Sequence, residues 1–184
     1  MLSMSHIPTR VSVDGFSCTE RVEFQEGWIA QRLAGYLKPL GCELDADAFR
    51  LSLPSASLDQ ARADLPSGDG PLLVLAPRGG AEDWPEAEWN ALPETIGQRL
   101  KGLRCSQLPV GLGLSARAAA VACADVVLSS CPVTQLLAVF SGVPLVALGG
   151  DADAMPQRQE LRCLGEAGRL ADLSQEQVLQ ALGF

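Results

Sequence analysis

The residues best placed to do chemistry fall in three short stretches. The first is Pro77-Arg78-Gly79-Gly80-Ala81-Glu82-Asp83-Trp84-Pro85. Paired glycines let backbone approach a ligand closely, and the fork of Arg78 suits a phosphate. The same stretch also reads as a helix start. Glu82, Asp83, Glu86 and Glu88 favour the positive end of a helix dipole and would repel an anion there, with Pro85 in the first turn and Trp84 and Trp89 packed on a sheet.

The second stretch is Ser129-Ser130-Cys131-Pro132-Val133-Thr134-Gln135. Ser130 or Cys131 falls at a helix cap, Pro132 in the first turn, and no carboxylate is present. The N–H groups of Val133, Thr134 and Gln135 then form an anion site, with the hydroxyls of Ser130 and Thr134 and the Arg78 side chain beside them. Equally, Ser130 and Thr134 read as plain helix caps. Cys131 at a helix N-terminus invites a lowered pKa and a nucleophilic role, but no histidine stands near it in sequence to activate it.

The third stretch, Gly149-Gly150-Asp151-Ala152-Asp153, can pass close to a nucleotide. Two carboxylates without further oxygen or imidazole ligands make a solvated loop rather than a metal site. The candidate binding residues are therefore Arg78, Gly79, Gly80, Ser129, Ser130, Val133, Thr134, Gln135, Gly149 and Gly150. No catalytic residue is singled out, and neither a metal nor a cofactor is expected.

Regular alternation of strands and helices must position these loops. From Leu72 onward, strand-length apolar runs (72–76, 103–108, 126–129, 144–148) alternate with helical segments (85–100, 115–123, 132–141, 155–164, 175–182). The last helix is opened by the capping box Ser174-Gln175-Glu176-Gln177. Continuous apolar strands with helical crossovers predict a parallel sheet covered on both faces, with strands 72–76, 126–129 and 144–148 at its centre. Ligands bind beyond the carboxyl ends of such strands, where the three loops lie.

Ahead of that region the signals are mixed. A short β-type run, Arg10 to Val13, precedes an amphipathic stretch with Phe24, Trp28, Ile29, Leu33, Tyr36 and Leu37 at helical spacing. Phe49 to Leu53 reads as another strand, and Ser57-Leu58-Asp59-Gln60 as the capping box of a short helix. Residues 66–71, Pro-Ser-Gly-Asp-Gly-Pro, form a linker.

Composition narrows the partners. The chain has 184 residues, 47% hydrophobic, with net charge −8, so no broad basic face exists to neutralise phosphates, and nucleic acid is excluded as a partner. No apolar run reaches the roughly 18–20 residues of a transmembrane span, and a cytoplasmic protein is expected. The six cysteines show no C-x-x-C and read as reduced, buried thiols. The one histidine, His6, sits in a tail-like segment, so triads and imidazole metal sites lack their key residue.

The order of motifs carries a resemblance. A strand, a glycine loop and Trp84-Pro85-x-x-x-Trp89 come first. Ala124-Asp125-Val126-Val127-Leu128 then leads through a proline-containing loop to Leu137-Ala138-Val139-Phe140-Ser141-Gly142-Val143-Pro144-Leu145-Val146-Ala147-Leu148-Gly149. This resembles glycosyltransferase family 9, the heptosyltransferase-like family acting on lipopolysaccharide cores. The resemblance covers roughly residues 72–182.

It implies a Rossmann-like α/β domain, the C-terminal half of a GT-B fold, which holds a nucleoside diphosphate sugar. Residues 1–65 would be the tail of an N-terminal domain with a connecting helix, 66–71 the linker, and 72–184 the nucleotide-sugar-binding domain. The Phe24, Trp28, Leu33 and Leu37 face would meet a protein partner.

Departures from the pattern shape the expected activity. Glu82 stands where the family has a lysine. Cys131 and Leu136 stand where the pattern Asp-Ser-Gly-Pro-x-His has its aspartate and histidine. The expectation is a family 9-like donor-binding domain, a pseudoenzyme as an isolated chain. The alternative is a non-catalytic nucleotide-binding or structural adaptor domain derived from that family.

Overall fold

The computed structural model of the chain describes residues 6–184. Two compact units divide it. One runs to Phe49 and takes in Asp153–Pro156, and the other joins Arg50–Ala152 to Gln157–Phe184.

The first unit holds a parallel pair of two-residue strands, β1 (Val11–Ser12) and β2 (Glu20–Arg21), and the helix α1 (Ile29–Leu37). The expected amphipathic helix is present but starts later than its apolar spacing suggested. Gly27, at φ +109, stops any extension backwards, Trp28 is the N-cap, and Phe24 lies outside the helix. Trp28 is buried, whereas Phe24 and Leu33 are exposed, so these residues do not form one continuous helix face.

The second unit is built on a five-stranded sheet. β3 (Leu72–Ala76), β4 (Arg104–Gln107), β5 (Val126–Ser129), β6 (Leu145–Leu148) and β7 (Leu161–Leu164) run parallel in the order β4-β3-β5-β6-β7. The three strands expected at the centre occupy it, and β3 and β6 are buried along their whole length. A strand covered on both faces has no polar side to alternate with, which is why these runs are continuously apolar.

α3 (Glu86–Arg99) carries the chain from β3 to β4 in one direction along the sheet. α4 (Leu114–Ala122) and α5 (Pro132–Ser141) carry it back through β5 to β6. Right-handed crossovers therefore set α3 on one face and α4 with α5 on the other. α6 (Gln175–Leu182) packs beside α3, and α2 (Ser55–Asp64) beside α4. On the α3 face, Trp84 and Trp89 join the core edge to face, with ring centroids 5.3 Å apart. The Trp84 indole N–H donates to the Leu173 carbonyl at 2.9 Å.

Local signals hold at both ends of α5 and at the start of α6. Gly142 takes the left-handed conformation, φ +69, that ends α5, and Ser174 with Gln177 forms the expected capping box of α6. Four expectations fail. Residues 155–164 are not a helix, because Leu161–Leu164 extends to pair with β6 as β7. Phe49 to Leu53 is not a strand, although the Leu51 N–H donates to the Phe140 carbonyl at 2.8 Å. α2 starts at Ser55, so Ser57 lies within its first turn and makes no capping box. All six cysteines are free, as expected, but Cys42 is exposed and the other five are half-buried rather than buried.

Candidate functional site

The loops after β3 and β5 meet at the carboxyl ends of these adjacent strands. The backbone N–H of Arg78 donates to the Ser130 hydroxyl at 2.8 Å and fastens one loop to the other. Gly79 and Gly80 both have positive φ, +79 and +96, a conformation that a side chain would strain. Buried Asp83 closes this turn by accepting from the Gly79 N–H at 2.6 Å and the Trp84 N–H at 2.7 Å. The Arg78 side chain stays exposed. Glu82 is exposed too, and Glu86 and Glu88 occupy the first turn of α3, so the acidic helix start read from sequence is present beside the cation.

At the start of α5 the predicted hydroxyls have other partners. Neither Ser130 nor Thr134 caps the helix, whose N-cap is Cys131. Ser129 is buried, donating its hydroxyl to the Ala76 carbonyl at 2.8 Å and accepting the Cys131 N–H at 3.0 Å. Thr134 is also fully buried, and its hydroxyl oxygen accepts from Arg117 Nη1 at 3.1 Å. The Gln135 N–H goes to the Cys131 carbonyl at 3.0 Å, the ordinary helical bond, and proline has no N–H to offer. The Val133 and Thr134 N–H groups, which have no acceptor within the helix, turn to the Cys131 sulfur, and Val133 is exposed.

Arg117 escaped the sequence reading. It is the one charge in the helix segment Leu-Ser-Ala-Arg-Ala-Ala-Ala-Val-Ala, a position that could have drawn notice. Its side chain is only 5% exposed, and Nη2 donates to the Pro109 and Val110 carbonyls at 2.7 and 3.0 Å. No ion pair among the described residues involves it.

That charge reaches Cys131. Burial pushes the Cys131 thiol up, but hydrogen bonds from the Thr134 N–H, the Thr134 hydroxyl and the Val133 N–H, with the nearby Arg117 charge, bring it below its ordinary value of 9.0. Burial raises Cys105 to about 11, and burial with the Asp151 charge raises Cys163.

Gln135 ties the β5 and β6 ends together, its side-chain amide donating to the Ser129 and Leu148 carbonyls at 2.9 and 3.0 Å. Gly149, φ +65, gives its N–H to Leu164, and Gly150 lies against Ala147 and Gln135. Arg78, Gly79, Gly80, Ser130 and Val133 are thereby gathered at the β3–β5 junction. The side chains of Ser129, Thr134 and Gln135 serve the protein's own framework. Among the described residues no group of three or more His, Cys, Asp or Glu side chains is placed to hold a metal ion.

A cavity of about 660 Å³, not foreseen from sequence, lies between α2, β4 and α4. No helix among the described residues is long and apolar enough to cross a membrane.

No family model and no curated protein matches the sequence. Solved structures do. The chain is similar to a family 9 glycosyl transferase from Veillonella parvula, with 16% identity over 96% of this chain and 66% of that one, at a TM-score of 0.69. It is similar to an E. coli heptosyltransferase solved with ADP-2-deoxy-2-fluoro heptose, with 15% identity over 90% of this chain and 59% of that one, at a TM-score of 0.61. It is also similar to the E. coli ADP-heptose lps heptosyltransferase II, with 15% identity over 72% and 52%, at a TM-score of 0.56. The likeness is one of fold. The Rossmann-like, GT-B-type α/β architecture inferred from sequence is the architecture found, and the chain spans between about half and two thirds of the length of these structures.

Proposed function

We propose that the chain binds a nucleoside diphosphate sugar as the donor-side domain of a family 9-like glycosyltransferase, and that by itself it transfers no sugar. The observation that carries this reading is the hydrogen bond joining the Arg78 and Ser130 loops at the carboxyl ends of β3 and β5. It occurs in a fold similar to that of a heptosyltransferase solved with an ADP-heptose analogue. The diphosphate lies against Gly79 and Gly80, where no side chain intervenes, with the Arg78 fork as its donor and the start of α5 beside it. Glu82, Cys131 and Leu136 stand where the resemblance expects a lysine, an aspartate and a histidine, which supports binding without transfer.

A second reading has an observation in its favour. The side chains of Ser129, Thr134 and Gln135 already have partners inside the protein, as an adaptor domain with no small ligand would have them. Calorimetry with ADP, UDP and their sugars separates the two. Donor binding predicts saturable heat that weakens about tenfold in Arg78→Ala, the scale of one charge-assisted contact. No heat with any of them favours the adaptor. Release of nucleoside diphosphate by the purified chain, abolished in Arg78→Ala, would overturn the claim that it does not turn over.

A further inference from the structure

Three loops leave the carboxyl ends of neighbouring strands: 77–85 after β3, 108–113 after β4 and 130–131 after β5. The first is held to the third by the Arg78 N–H on the Ser130 hydroxyl, at 2.8 Å. The second meets the first at Val110, whose side chain lies 3.3 Å from where a Cβ on Gly79 would stand. Arg117 of α4 joins the second to the third. Its Nη2 donates to the Pro109 and Val110 carbonyls at 2.7 and 3.0 Å, and its Nη1 to the Thr134 hydroxyl in the first turn of α5 at 3.1 Å.

Packing gives no reason for an arginine at this position. The helix is otherwise alanine, valine, serine and leucine, and Arg117 is buried in it with no carboxylate to meet its charge among the described residues. Exchanging buried charge for a fitting apolar side chain is often neutral or stabilising, so stability does not call for Arg117 either. Its reach does. A planar fork of five donors bonds two carbonyls on one loop and a hydroxyl on another helix at once, which neither a lysine nor an apolar side chain can do. The loop it grips makes one backbone bond within itself between Pro109 and Gly113, from the Leu112 N–H to the Pro109 carbonyl at 3.1 Å. Residues 109, 110, 111 and 113 are exposed, and a Cβ on Gly111 or Gly113 would meet nothing within 4 Å.

We propose that Arg117 is a positioning residue for the diphosphate site. By fixing the 108–113 loop against the start of α5 it sets Val110 against Gly79, and so holds the Gly79–Gly80 turn in the shape that receives the ligand, without touching the ligand itself. The proposal rests on the donor-binding reading above.

Calorimetry on the full chain with ADP and UDP, thermal melts, and amide spectra of the nucleotide-free chain test it in Arg117→Met, Val110→Ala and the double variant. Val110 is exposed, so its truncation leaves the core intact. Each single variant is expected to weaken the better-bound nucleotide by about threefold to tenfold, the scale of a residue that acts through its neighbours. The double variant loses no more than Arg117→Met alone, because both changes release the same contact. In Arg117→Met the melting temperature stays level or rises, and the Gly79 and Gly80 amide resonances move before any nucleotide is added, which a residue that only filled space would leave in place. Wild-type affinity retained in either single variant overturns the proposal and leaves donor binding standing. So do losses that multiply in the double variant, or a melting temperature that falls together with the affinity. A wild-type chain that binds neither nucleotide overturns the donor-binding reading, and this proposal with it.

Discussion

Arg117 carries a charge into the helix layer with three neutral oxygens as its partners. Leaving a guanidinium buried without a counter-charge is costly, and the half-buried Cys131 thiol is the ionisable group that its charge lowers. Thr134 sits between them, accepting from Arg117 and donating to the sulfur. Arg117→Met is expected to raise the Cys131 pKa and to slow its alkylation by iodoacetamide at pH 7. In the wild type, mass spectrometry should find Cys131 alkylated before Cys105 and Cys163, whose thiols burial pushes up. Equal rates at the three sites would contradict the arrangement.

The sign for stability follows from the direction of the shift. A depressed pKa stabilises the fold fully above the unfolded value, near 9.0, and that contribution disappears as pH falls through the folded value. The stability gap between wild type and Cys131→Ser should therefore widen as pH rises towards 9. At the neighbouring loop, Glu82→Lys replaces an exposed carboxylate beside Arg78 with a cation. It should tighten ADP or UDP binding in calorimetry, and a weaker affinity would argue against a diphosphate there.

Among the elements, α5 shows most plainly how local signals set a boundary. Gly142 at φ +69 ends the helix, and a Cβ there would come within 2.5 Å of the Arg50 Nε. Gly142→Ala is expected to cost about 1–2 kcal/mol in denaturant unfolding, from left-handed strain on an L-residue. No measurable loss would mean that the turn relaxes.

The same boundary was legible in sequence, as were β3, β5 and β6, because burial on both faces writes a continuous apolar run. β7 was not. An edge strand with the pattern Leu-Arg-Cys-Leu after a polar segment looks helical until its pairing with β6 is known. The glycine and hydroxyl loops of the site could be read, but the roles within them could not. Whether Thr134 faces a ligand or Arg117 is decided by a helix seventeen residues earlier in the chain, which periodicity cannot see. The cavity was hidden for a similar reason, since α2, β4 and α4 create it only when packed together.

For the molecule as a whole, a fold likeness at 15–16% identity shares an architecture with the heptosyltransferases and leaves the chemistry to the residues themselves. Those residues offer a diphosphate one exposed arginine, two side-chain-free backbone positions and the start of α5. The central claim is that a nucleoside diphosphate binds where the β3 and β5 loops join. Titrating the ¹⁵N-labelled chain with ADP and with UDP, and following backbone amide resonances, measures this directly. Binding there predicts saturable shifts at Gly79, Gly80, Val133 and Thr134 with at least one nucleotide, lost in Arg78→Ala. Resonances that stay still at millimolar nucleotide, or that move only outside these two loops, would contradict it.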